Sequence, residues 1–136
     1  FAQLGIAVDD QLYATFTGNS TRNIYEKLVS QFRLTDEVAD LVLAKRALFN
    51  DAFDSKEDLE MLEGVSDLIQ SLYQEGFQLI LASSSAKVTI GRVFNRFKLH
   101  QYFSHVVSGE DFPRSKPDPA IFQKAVQLSG NDASEC

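Results

Sequence analysis

The sequence predicts an α/β protein in which a small helical bundle precedes a parallel sheet with helices on its faces. After residue 62, segments with helical and strand character alternate, which is the order typical of parallel sheets. Before residue 62, apolar residues recur with helical spacing, and nothing alternates with the period of two that marks a strand. We therefore predict a division into residues 1–61 and residues 62–136.

Three helices are expected in the first part. Their caps are predicted at Asp9 or Asp10, at Ser20 or Thr21, and at Thr35. Gly18 is expected to break the chain between the first two helices. Tyr25 and Phe49 recur with helical spacing, which favours a place in the core of the bundle.

Three helices and two strands are expected in the second part. A helix with an apolar face from Val65 to Leu72 ends at Gly76, and an apolar strand follows at residues 77–82. A helix comes next, then a short strand at residues 105–107. Asp118 is predicted to cap the last helix, with Pro119 in its first position.

Composition limits the possible functions. The 136 residues are 44% hydrophobic and carry a net charge of -6, which indicates a globular domain and argues against a nucleic-acid partner. No apolar run is long enough for a membrane span. The single cysteine, Cys136, excludes an internal disulfide and favours a cytoplasmic location. No Cys/His cluster has the spacing of a zinc site, no metal-binding residue is predicted in this segment, and the oligomeric state stays open.

Ser83, Ser84 and Ser85 follow the first strand directly. Ligands of parallel sheets lie beyond the carboxyl ends of the strands, and the amide groups at the start of the next helix are expected to point to the same place. A hydroxyl and helix amides together are typical of a phosphate site. The alternative for Ser84 and Ser85 is that they merely cap the helix.

Lys116 lies in a turn, Ser-Lys-Pro-Asp-Pro, after the second strand. The following proline favours an extended backbone at Lys116, and the helix start beyond it is also fixed. We expect the ammonium group to point to the edge that carries Ser83, where a compact cation neutralises phosphate charge.

In combination, Leu-Ala-Ser-Ser-Ser at residues 81–85, Val-Val-Ser-Gly-Glu-Asp at 106–111 and Ser-Lys-Pro-Asp-Pro at 115–119 resemble the haloacid dehalogenase-like hydrolases. The β-phosphoglucomutase-like branch, with its helical cap, is the most similar. The resemblance implies a partial Rossmann-like three-layer core at residues 62–136. It also implies an α-helical cap domain at residues 1–61.

The resemblance further implies a magnesium-dependent phosphatase that forms an aspartyl phosphate on a small phosphorylated metabolite, such as a sugar phosphate. Ser83 matches the residue that hydrogen-bonds the transferring phosphoryl group, and Lys116 matches the lysine that neutralises it. The family's Asp-x-Asp pair and its later acidic Mg²⁺ ligands are not present in these 136 residues. We expect them outside this segment, so the segment alone should fold poorly and show no turnover.

Family members choose their substrates through the cap. Gly18 and Arg22 lie where the family's substrate loop enters a cap helix, and Arg22 is a candidate ligand for a second anionic group. Lys45, on the third helix, is another candidate. Arg22 and Lys45 also suit an ordinary solvated helix face.

The sequence leaves other functions open. A phosphosugar mutase of the same family would differ by an acid/base histidine that would precede Phe1, and dehalogenase activity is less favoured. A phospho-receiver domain also combines a serine with a Lys-Pro turn, but it would have no helical cap over the edge that carries Ser83. A non-catalytic phosphate-binding module is the third class.

Overall fold

A computed structural model describes residue 1 and residues 4–136 of the chain. In chain order the helices and strands are α1 Asp10–Ala14, α2 Thr21–Phe32, α3 Val38–Ser55, α4 Val65–Gln74, β1 Leu79–Ser83, α5 Lys87–Phe97, β2 Phe103–Ser108 and α6 Ala120–Ser129. Short 3₁₀ turns lie at Leu99–Gln101, Gly109–Asp111 and Ala133–Glu135. The predicted α/β class and the predicted order of elements are confirmed.

The two strands are parallel neighbours whose carboxyl ends coincide. Leu81 pairs with Val106, and Ser83 pairs with Ser108 at the last position of both strands. The first strand begins at Leu79, two residues later than predicted, because the backbone N–H of Phe77 instead closes the end of α4 on the Leu72 carbonyl at 3.0 Å.

The helix caps follow the sequence expectations with one error. The side chains of Asp9 and Ser20 accept hydrogen bonds from Leu12 N and Asn23 N at 2.7 and 3.2 Å. The prediction for Thr35 is wrong. The chain bends at Asp36, and Glu37, with extended backbone, occupies the cap position, so α3 begins at Val38 and Thr35 is too far from its first amides.

The start of α6 is close to the prediction. The side chain of Asp118 accepts from Ala120 N at 3.0 Å, as a cap does. The helix itself begins at Ala120, with Pro119 in the cap position, one residue later than expected.

Among the described residues, two hydrophobic clusters hold most of the buried side chains. The first joins Tyr25 and Leu28 on α2 to Leu41 on α3. The second joins Ile90 and Phe94 on α5 to residues around them, which include Met61, Ile69, Leu81 and Leu99. Two separate clusters support the division near residue 61, which stays a prediction.

Some predicted core positions lie at the surface. Phe49 is 43% exposed, so it is not part of the core as predicted. Val65 and Leu68 on α4 and Phe122 on α6 are also exposed. The described sheet has two strands, and these strands cover only part of the apolar faces of the two helices.

The contact between α3 and α5 is largely polar. Asn50 is buried, and its Oδ1 accepts from Thr89 Oγ1 at 3.1 Å, while Asp54 pairs with Arg92 at 2.9 Å. Farther along, Arg96 donates to the carbonyl groups of Phe53, Lys56 and Glu57 where α3 ends. These bonds orient the helical bundle on the α/β part.

Candidate active site

Ser83 and Lys116 lie at the same edge of the sheet. Ser83 is the last residue of β1. The Nζ of Lys116 is 3.5 Å from the carbonyl oxygen of Ala82, the residue just before Ser83. The ammonium group therefore lies beside the carboxyl end of the first strand, as the turn sequence predicts. Both side chains are half-buried.

The serine loop, residues 83–86, has one hydroxyl that is engaged and one that is not. Ser83 Oγ accepts the backbone N–H of Ser85 at 3.1 Å. Ser84 Oγ is buried and has no hydrogen-bond partner among the described residues. Because a buried polar atom without a partner is costly, Ser84 is suited to hydrogen-bond a ligand. Ser85 is exposed.

The start of α5 is capped from outside the serine loop. Ala86 occupies the cap position and makes no side-chain hydrogen bond, so neither Ser84 nor Ser85 caps the helix. The carboxylate of Glu110 instead accepts the backbone N–H of Lys87 at 2.8 Å. This amide is thus already engaged, and it is not free for phosphate as the sequence suggested. A carboxylate at this position is also favoured by the helix dipole.

A cleft of about 470 Å³ separates the helical bundle from the serine loop. Its lining includes Arg22 and Lys45 on one side and Ser84 and Ser85 on the other. Gly18 is not among the lining residues, although it adopts the left-handed backbone expected of a helix break. The helices α2 and α3 therefore lie across the edge that carries Ser83, unlike the arrangement expected of a phospho-receiver domain.

The helical wall of the cleft is cationic. Arg22 Nη1 forms an ion pair with Glu26 Oε1 at 3.7 Å. Lys45 Nζ makes a cation–π contact with Phe49, 4.9 Å from the centre of the ring. Partial burial lowers the pKa of Lys45, and the charge of neighbouring Arg46 lowers it further. The wall is therefore suited to hold an anionic group that projects from the serine loop.

Sequence reasoning missed the polar pairs that cross the cleft. Arg46 Nη2 contacts Glu110 Oε1 at 2.6 Å, and Asn23 Nδ2 donates to Ser115 Oγ at 2.7 Å. The partners are 64 and 92 positions apart. No local spacing rule connects residues at such distances, so the sequence contains no signal for these pairs.

The described residues contain no group of three or more His, Cys, Asp or Glu side chains that could hold a metal ion. Two acidic residues bind Lys87, directly after the serine loop: Glu110 accepts its backbone N–H, and Asp111 pairs with its Nζ at 2.5 Å. The side chains present here therefore do not form a magnesium site by themselves. Among the same residues, no helix combines the length and the apolar character that crossing a bilayer requires.

The whole chain, residues 1–136, matches the protein family described as haloacid dehalogenase-like hydrolase. Similar curated proteins include a probable phosphoglycolate phosphatase of Pseudomonas putida, 28% identical over 69% of this chain and 39% of that protein. A pyrophosphatase of Bacillus cereus is 28% identical over 88% of this chain and 52% of that protein. The chain thus spans between a third and about half of such relatives.

Solved structures show the same fold. A β-phosphoglucomutase from Clostridium difficile superposes with a TM-score of 0.79 over 93% of this chain and 58% of that chain, at 18% identity. A predicted phosphatase from Clostridium acetobutylicum superposes with a TM-score of 0.66 over 98% of this chain and 60% of that one, at 21% identity. At these identities the likeness establishes the fold and not the reaction.

Proposed function

Because the chain belongs to the haloacid dehalogenase-like hydrolases, we propose that it supplies the phosphate-positioning half of a phosphatase that acts on small phosphorylated metabolites. The observation that carries this proposal is the 3.5 Å approach of Lys116 Nζ to the Ala82 carbonyl, beside Ser83. Phosphoryl transfer needs positioning and charge neutralisation, and these two residue types can provide both.

We assign a separate role to each residue of the phosphate site. Ser83 donates a hydrogen bond to the transferring phosphoryl group. Lys116 neutralises the negative charge of the phosphoryl group and of the carboxylate that attacks it. Ser84, whose buried hydroxyl has no partner among the described residues, supplies a further hydrogen bond. We propose that the nucleophilic aspartate and the carboxylates that would hold Mg²⁺ belong to other parts of the whole protein.

The substrate class follows from the helical wall of the cleft. Arg22 and Lys45 face the serine loop across it and are suited to bind a second anionic group. The relatives named for phosphoglycolate and for pyrophosphate act on small molecules that carry such a group. We therefore place a small phosphate ester or anhydride with a second anionic group ahead of a sugar phosphate, whose only anionic group is the phosphate itself.

The test is a phosphatase assay on the full-length protein that carries this chain, with Mg²⁺ and p-nitrophenyl phosphate. Lys116→Met should lower kcat by roughly 10²- to 10³-fold, the usual loss for one electrostatic group at a reacting centre. Lys124→Met is the matched control, because Lys124 is an exposed lysine on α6 that contacts Gln127. An unchanged kcat in Lys116→Met, or an inactive wild-type protein, would refute the proposal.

A second assay tests the substrate class. Phosphoglycolate, pyrophosphate and glucose 6-phosphate should be compared at equal concentration with the wild type and with Lys45→Met. The variant should raise KM for the first two substrates and leave KM for the third unchanged. Equal effects on all three would contradict the role given to Lys45.

A further inference from the structure

Two polar bridges, formed by residues that line the cleft, join the helical bundle to the α/β part. One runs from Asn23 on α2 to Ser115, with 2.7 Å between Nδ2 and Oγ. The other runs from Arg46 on α3 to Glu110, with 2.6 Å between Nη2 and Oε1. Each bridge ends next to one of the two elements that handle phosphate in the proposed function.

The first bridge holds the turn that carries Lys116. Ser115 is the residue directly before Lys116, and its carbonyl oxygen accepts the backbone N–H of Asp118 at 3.1 Å. Asn23 is itself fixed, because its backbone N–H donates to the Ser20 hydroxyl that caps α2. A side chain of the bundle therefore restrains the lysine turn on its amino side.

The second bridge reaches the serine loop through Glu110. One carboxylate oxygen of Glu110 binds Arg46, and the other accepts Lys87 N at 2.8 Å. The backbone N–H of Glu110 donates to Ser108 Oγ at 3.2 Å, and that hydroxyl donates to the Ser85 carbonyl at 2.8 Å. Ser108 is only 1% exposed. These bonds connect Arg46 to the C-terminal end of the serine loop, at the residues on both sides of Ala86.

We propose that these two bridges couple docking of the helical bundle to assembly of the phosphate site, with Asn23 and Arg46 as positioning residues. When the bundle is docked, Arg46 holds Glu110 and thereby the serine loop, and Asn23 holds the turn before Lys116. The proposal rests on the proposed function for its catalytic consequence. Phosphoryl transfer depends on position so strongly that a small displacement of either loop would lower kcat.

A third contact between the bundle and the α/β part provides the comparison. Asp54 pairs with Arg92 at 2.9 Å, near the other end of α3. Neither residue contacts the serine loop or the lysine turn. Loss of this pair should weaken docking of α3 without releasing Glu110. A variant without the pair therefore shows how much of the effect of losing Arg46 comes from weaker docking alone.

The experiment uses the full-length protein and compares Arg46→Met, Arg46→Lys and Asp54→Asn with the wild type. Backbone hydrogen exchange at residues 84–88 should quicken by about tenfold in Arg46→Met, because loss of a charge-assisted hydrogen bond has about that weight. Arg46→Lys should restore part of the protection, and Asp54→Asn should leave exchange within about twofold. The loss of kcat for p-nitrophenyl phosphate should be largest in Arg46→Met, smaller in Arg46→Lys and smallest in Asp54→Asn. KM should stay nearly constant in all three variants.

The first bridge, between Asn23 and Ser115, gives an independent test if Arg46→Met does not fold. Ser115→Ala should lower kcat about as much as Asn23→Ala, and the double variant should lose no more than either single one. The inference would be overturned if the exchange rate at residues 84–88 were the same in Arg46→Met as in the wild type. It would also be overturned if Asp54→Asn raised that rate as much as Arg46→Met does. Because exchange needs no substrate, a protein without phosphatase activity would refute the proposed function and still leave this inference testable.

Discussion

Gly109 lies so close to Ser84 that a Cβ atom added to the glycine would be 3.0 Å from the Ser84 Cα. The same atom would be 3.4 Å from the Ser83 carbonyl oxygen. Both neighbours are backbone atoms of the serine loop, and they cannot turn aside as a side chain can. The approach of the chain after β2 to the end of β1 therefore depends on a residue without a side chain.

Gly109→Ala is accordingly expected to displace the serine loop. The crowding should lower the free energy of unfolding by about 1–3 kcal/mol and should lower kcat as well. Gly91→Ala is the matched control, because the position is inside α5 and, apart from its chain neighbours and the backbone of its own helix, no atom would lie within 4 Å of the added Cβ. That change should stabilise by up to about 1 kcal/mol. Denaturant melts of both variants would check this, and a neutral Gly109→Ala would contradict it.

A second prediction compares two candidate helix caps. Ser20 Oγ accepts Asn23 N, whereas Thr35 lies outside α3. Ser20→Ala should therefore cost about 1 kcal/mol of stability, and Thr35→Ala should cost less than about 0.5 kcal/mol. Thermal melts of the two variants measure the difference. Equal losses would mean that Thr35 does cap its helix.

The buried pair between Asn50 and Thr89 gives a third prediction. Asn50→Ala should destabilise by about 1–3 kcal/mol, because Thr89 Oγ1 loses the partner that it has at 3.1 Å. The double variant Asn50→Ala with Thr89→Val should lose less free energy of unfolding than the sum of the losses in the two single variants. A double-mutant cycle measures this coupling, and strictly additive losses would argue against the bond.

The lowered pKa of Lys45 predicts a pH effect on substrate binding. Its ammonium group loses its proton at a pH below the usual 10.5, so KM for an anionic substrate should begin to rise below that pH. Raising the pH should thus weaken substrate binding but should increase the free energy of unfolding. Between the lowered pKa and 10.5 the unfolded state binds more protons, so the contribution of Lys45 to stability increases with pH.

KM profiles of the wild type and Lys45→Met between pH 7 and 10.5 would check this prediction. The wild-type profile should rise on the alkaline side, and the variant profile should be flatter and higher. Parallel profiles would show that the titrating group is another residue.

Much of the fold follows from local sequence. The end of α4 at Gly76 and the caps at Asp9 and Ser20 were predictable, because each depends on the conformational preference or hydrogen bonding of residues within a few positions. The predicted start of β1 was two residues too early, because the backbone N–H of Phe77 binds the Leu72 carbonyl at the end of α4. The error at Thr35 arose because a capping residue type lies three residues before the start of α3, where Glu37 takes the cap position instead.

The candidate site divides along the same line. The sequence by itself determined that Ser83 ends a strand and that Lys116 lies in a rigid turn after the next strand, because strand ends and proline turns are local properties. Only the tertiary structure decided that Glu110 caps α5 and binds Arg46. The reason is physical: such contacts depend on which helix faces meet, and no rule of spacing along the chain specifies that.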